Sequence, residues 1–127
     1  MGSASTGIVQ KPELVTAKAM LKIMNAASRF LLADLTREPP LYILLHTFIA
    51  REEGRHITIS QLADMCTTTP STTLRWVVRL EELGYVRRMD DPHDRRRCWV
   101  DISEDGGTRM ACWLSLLDLS AVRTARP

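Results

Sequence analysis

TTTPSTTLRWVVRLEELGYV, residues 67–86, is the stretch whose reading decides the fold. Three threonines make a turn. Thr69 stands where an N-cap hydroxyl belongs, and Pro70 follows at the first helical position, where its missing N–H costs nothing. Trp76, Val77, Leu80 and Leu83 then share one face, with Thr73 at its edge, while Ser71, Arg75, Arg79 and Glu82 fall opposite. Gly84 ends the helix. The outcome is a short amphipathic helix with hydroxyls at its front and two arginines one turn apart on its outer face.

The flanking sequence supplies the rest of a small motif. Upstream, His56-Ile57-Thr58-Ile59 is a short β-branched run, and Ser60 is placed to cap a short helix, QLADMC. Downstream, Tyr85–Met89 reads as a strand, Asp90–Asp94 as turn chemistry, and Arg97–Ile102 as the alternating return strand. Ser103 caps a last helix over 103–122, with Glu104 and Asp105 in its first turn and Met110, Trp113, Leu114 and Leu117 as its apolar stripe. Towards the N-terminus, Leu14, Ala17, Leu21, Met24, Ala27, Leu31 and Leu35 recur at helical spacing. They predict one long amphipathic helix from Pro12 to Leu35. Glu38-Pro39-Pro40 breaks it, and a nearly all-apolar helix from Pro40 to Glu53 follows, stopped by Gly54.

The fold class so read is mainly α with a small β-hairpin wing, a winged helix-turn-helix. Its parts are a flexible tail at 1–11, an N-terminal helix at 12–38, the winged unit at 39–103 and a C-terminal helix at 104–127. A helix entering a DNA major groove presents its N-terminal turns, where hydroxyls and free N–H groups meet phosphate or base edges. Thr69, Ser71, Thr72, Arg75 and Arg79 are therefore the candidate DNA contacts on that helix. Arg95, Arg96 and Arg97 are the candidates in the wing loop, suited to a narrow minor groove. Asp94 is read as the wing-stabilising partner of Arg96.

Bulk composition neither supports nor opposes this. The 127 residues suit one domain with a modest core, and the formal charge is only +2. From residue 56 to 103 seven arginines face seven acids, so DNA binding requires the acids to point away from the arginines or to orient them. Leu74 and Val78 add apolar groups to the outer face. Val78 suits a thymine methyl and equally a protein surface.

The longest apolar run, LYILLHTFIA, is short of a membrane span, and MGSASTGIVQ lacks the regions of a signal peptide. Cys66, Cys98 and Cys112 have no paired spacing. Together these predict a cytoplasmic protein with free thiols, inert rather than redox-sensing. No Gly-rich phosphate loop, metal-ligand spacing or nucleophile–base pair is present in the sequence, so no enzyme activity, metal or cofactor is expected. Trp76, Trp99 and Trp113 lie on apolar faces and read as core.

From about Ile59 to Gly106 the chain resembles the MarR (multiple antibiotic resistance regulator) family. The resemblance is carried by SQLADMCTTTPSTTLRWVVRLEELGYVRR and DPHDRRRCWVDISEDG, with the wing signature Asp-x-Arg at Asp94 and Arg96. It implies a ligand-responsive repressor that binds a pseudo-palindromic operator in double-stranded DNA as a homodimer. The N- and C-terminal helices would then be dimerisation helices. It also implies a small-molecule effector pocket between dimer body and winged unit, with Tyr42 and His46 as candidate pocket residues; His46 reads equally as a core histidine. The chain departs from the family pattern in ending soon after its first C-terminal helix, where typical members carry another. The competing reading is a winged-helix adaptor that has lost DNA binding and meets protein.

Overall fold

The computed structural model describes residues 11–117. Most of the expected N-terminal tail, and residues 118–122 of the expected last helix, lie outside them. The elements run α1 (Pro12–Ala26), two 3-10 turns (Ala27–Arg29 and Ala33–Leu35), α2 (Pro40–Glu52), β1 (Ile57–Thr58), α3 (Ile59–Met65), α4 (Pro70–Glu82), β2 (Val86–Asp91), β3 (Asp94–Ile102) and α5 (Glu104–Leu114). The three strands form one antiparallel sheet in the order β1-β3-β2. A single core joins α2, α3, α4, the sheet and α5 through Ile43, Leu44, Ile57, Leu62, Val77, Leu80, Val100 and Met110, each 1% exposed or less.

Most boundaries follow the local chemistry read from the sequence. Pro12, Pro40 and Pro70 each open a helix. Gly54 and Gly84 follow helix ends at φ 69° and 85°, a left-handed conformation that only glycine adopts at no cost. Ser103 caps α5, accepting from the Gly106 N–H at 2.9 Å. The Ser103 hydroxyl donates onward to the Gly84 carbonyl at 2.6 Å, and its own N–H donates to the Tyr85 carbonyl at 2.9 Å. One serine thus ties the end of α4, the start of β2 and the start of α5 together.

Three expectations are corrected. The long helix over 12–35 does not form: α1 stops at Ala26. At that point the Ala27 N–H donates to the Met24 carbonyl, three residues back, which takes the Ile23 carbonyl out of the α-helical ladder. The freed carbonyl accepts instead from the Trp113 indole N–H at 2.6 Å. The chain then folds back through the two 3-10 turns and buries Leu31 and Leu35.

Secondly, Ser60 is not a cap. α3 starts one residue earlier than Ser60, and Thr58 caps it in a reciprocal box: Gln61 N–H to Thr58 Oγ1 at 3.1 Å, and Thr58 N–H to Gln61 Oε1 at 2.8 Å. Thirdly, the hairpin is longer than expected. β2 runs to Asp91 and β3 begins at Asp94, so Arg95 and Arg96 join Arg97 on the return strand rather than lying in a loop. Asp91, only 6% exposed, causes this by accepting from the His93 N–H at 2.8 Å and closing the turn.

Gly106 sits so close to the Tyr85 carbonyl that a Cβ there would collide with backbone. Gly106→Ala should therefore destabilise the chain by about 1–3 kcal/mol, whereas an ordinary helical glycine-to-alanine change is stabilising. Urea unfolding of the two proteins measures it.

Candidate nucleic-acid interface

Helix α4 owes its orientation to the side it buries. Thr73, Val77 and Leu80 are all 0% exposed. Thr73 is central rather than at the edge of this face. Its hydroxyl donates to the Thr69 carbonyl at 2.9 Å, which satisfies it without a second partner. Trp76 and Leu83 complete the face half-buried. Ser71, Leu74, Arg75 and Arg79 are left to solvent.

The candidate contacts then divide by what else they do. Thr69 is occupied as the N-cap, accepting from the Thr72 N–H at 3.1 Å, and its hydroxyl stands 3.4 Å from that of Ser71. Thr72 is half-buried in the first turn. Arg75 is exposed and has no side-chain partner among the described residues. Arg79 is already engaged: its Nε and Nη2 both donate to Asp34 Oδ2 at 3.2 Å. Nothing in the sequence signals that pair, since Asp34 lies 45 residues upstream.

In the wing, Asp94 does face Arg96, accepting from its N–H at 3.0 Å and from its Nε at 3.4 Å. The Arg96 side chain has no other partner among the described residues and is 93% exposed. Arg97 pairs with Asp91 at 3.5 Å, a partner the sequence reading did not assign. Arg95 is exposed and makes no ion pair among the described residues. Arg88 pairs with Glu81, clamping β2 to α4 through its N–H at 3.1 Å and its Nε at 2.9 Å.

Sequence reasoning also missed Ser60 and Gln61 as neighbours of the wing. With Thr58 as the cap, they line a groove of about 530 Å³ between α3 and β3, together with Arg96, Arg97 and Cys98. The T-x-x-Q spacing of a capping box was the available signal.

Tyr42 and His46 lie one turn apart on α2, exposed and half-buried respectively. Glu38, one turn back on the chain, raises the Tyr42 phenol above its ordinary value. Neither residue lines that groove, nor the cleft of about 450 Å³ at the wing base between Arg51, His56, Arg87 and Asp101. Cys66 is half-buried, and burial pushes its thiol up, away from the reactive thiolate. Among the described residues, no helix is long and apolar enough to cross a membrane.

The arrangement is that of a winged helix-turn-helix: a capped, one-sided α4 after a tight turn from α3, with a basic two-stranded wing beside it. The MarR family model matches residues 48–98, from within α2 to β3. No curated protein matches the sequence. Among solved structures, a point mutant of MepR from a multidrug-resistant S. aureus clinical isolate is similar over 88% of this chain and 76% of its own, at TM-score 0.70 and 16% identity. S. aureus MepR in a complex with DNA is similar over 86% and 83%, at 0.64 and 19%. YusO from Bacillus subtilis is similar over 88% and 74%, at 0.62 and 16%. At these identities the likeness is one of fold.

The Arg88 clamp gives the interface a pH dependence. Arg88, first through its backbone N–H and then through its guanidinium, holds the Glu81 carboxyl below its ordinary 4.5. The stability this contributes is present above that ordinary value and is lost as pH falls through the lowered folded value. Acid unfolding of Glu81→Gln should show a shallower loss of stability below about pH 4.5 than the parent chain, with the two converging at the acid end. Because Glu81 is partly exposed, the separation at neutral pH should be small.

Proposed function

We propose that the chain is a transcriptional regulator that binds double-stranded DNA through α4 and the wing, acting as a ligand-responsive repressor on a pseudo-palindromic operator. The observation that carries this is Arg75: a guanidinium with no side-chain partner among the described residues, in the first half of a helix whose other side is sealed. A free arginine there grips guanine O6 and N7 or a phosphate. Arg95 and the exposed end of Arg96 add charge from the wing, and Ser71 and the hydroxyl-rich first turn supply further donors. The complex of MepR with DNA supports the same use of the same fold.

The DNA-binding form we propose is a homodimer. α1 leaves Leu14, Met20, Leu21 and Met24 exposed at 44–63%, a stripe far more apolar than solvent favours. A second copy covering it brings two α4 helices to successive major grooves. An effector that alters the spacing of the two heads would release the operator by shifting populations between dimer geometries.

The adaptor reading draws on Leu74 and Met65, exposed at 39% and 44% on the reading head. The two readings part on Arg75. Electrophoretic shift of duplexes from the region upstream of the chain's own gene should show binding that weakens steeply with salt. Arg75→Ala should cost about tenfold or more in affinity. A folded protein that shifts no duplex at low salt rejects the regulator and favours the adaptor. Leu21→Glu, at an already exposed position, should convert a sedimenting dimer to monomer and reduce DNA binding with it.

A further inference from the structure

Of the two arginines on α4, Arg79 alone has a side-chain partner among the described residues. Its partner comes from outside the helix-turn-helix: Asp34 belongs to the second 3-10 turn of the connector between α1 and α2. That connector is itself fixed, because Leu31 and Leu35 on either side of Asp34 are 4% and 0% exposed. The carboxylate is therefore presented from a rigid base.

The geometry of the pair is one-sided. A single oxygen, Oδ2, takes both Nε and Nη2, each at 3.2 Å. A guanidinium is planar and carries five N–H donors. Holding it along the Nε–Nη2 edge fixes its plane and leaves the Nη1 donors and the second Nη2 donor for another acceptor. The pair is about half exposed, so that acceptor can be external. Arg79 is ten residues past the N-cap, about 15 Å along the helix axis. It is beyond the first turns that a groove-inserted helix presents to bases, and within reach of the sugar–phosphate backbone that flanks the groove.

We infer that Asp34 is a positioning residue for Arg79, holding its guanidinium edge-on so that the free edge receives a backbone phosphate of bound DNA. This rests on the DNA-binding reading above. The carboxylate contributes by fixing in advance a long side chain that would otherwise be ordered only on binding. The arginine in turn neutralises an acid that would repel the phosphate.

Affinities of the full chain for one duplex across a salt series test it, with the parent, Arg79→Ala, Asp34→Ala, Asp34→Asn and the double alanine variant. Arg79→Ala should lower affinity about threefold to tenfold for specific and unrelated duplexes alike, and lower the salt slope by about one. Asp34→Ala should lose most of the same amount, Asp34→Asn should recover part of it through its remaining acceptor, and the double variant should be no worse than Arg79→Ala. Melting curves establish that each variant folds. The inference is overturned if Asp34→Ala binds as tightly as the parent or tighter, or if the two alanine changes add in full. A parent chain that binds no DNA overturns this inference together with the reading beneath it, whereas a binding parent with a silent Asp34 overturns this inference alone.

Discussion

The interface depends on the complete burial of one side of α4. Thr73, Val77 and Leu80 are sealed against α2, α3 and the sheet, so the helix cannot roll without exposing them. At about 25 cal/mol per Å² of apolar surface, even partial exposure of Val77 and Leu80 would cost more than any single surface contact could return. The outer face is thereby fixed by what lies behind it. Thr73 shows how strict the constraint is: a hydroxyl sits at 0% exposure because it can donate to the Thr69 carbonyl at the start of its own helix.

Charge is the second constraint, and the structure resolves what looked like a contradiction. Seven acids matching seven arginines over residues 56–103 would cancel a basic surface if they lay at random. Here three of those acids are each matched to an arginine. Glu81 takes Arg88; Asp91 takes Arg97 while closing the hairpin turn; Asp94 holds Arg96; Asp34, from outside the segment, takes Arg79. Arg75, Arg87 and Arg95 have no such partner among the described residues. A neutral segment can therefore carry a selective surface, because pairing fixes some guanidinium groups and leaves others available.

What the sequence makes legible is chemistry confined to a few consecutive residues. Thr69-Pro70, Ser103 with its acidic first turn, and the glycines at 54 and 84 determine their caps locally, and the structure has each of them where the sequence puts it. Outside the wing the departures are non-local, with one exception. The end of α1 depends on an indole 90 residues away that captures the Ile23 carbonyl, and no periodicity along 12–35 can show that. The Asp34–Arg79 pair spans 45 residues and is equally invisible in the linear chain. The exception is Thr58, whose box with Gln61 is readable in the sequence but competes with the more obvious serine beside it. In the wing, the alternation is right, but Asp91 and Asp94 read as loop residues because acids are poor strand formers. The buried Asp91 carboxylate, accepting from the His93 N–H, closes a tight turn and lets the ladder run past that preference.

These links also decide how the molecule can move. α4 is tied to the connector through Asp34, to β2 through the Glu81–Arg88 clamp, and to α5 through Ser103, which reaches Gly84 and Tyr85. α5 is in turn joined to the end of α1 by the Trp113–Ile23 bond. A helix restrained at several points by separate elements does not pivot alone. A displacement of α1 or α5 is passed to the whole reading head, which shifts as one packed body because close-packed interiors transmit strain. In the dimer proposed above, small changes at a subunit contact on α1 or α5 would thus become changes in head spacing. The exposed stripe on α1 places the proposed subunit contact on the element from which that motion would start.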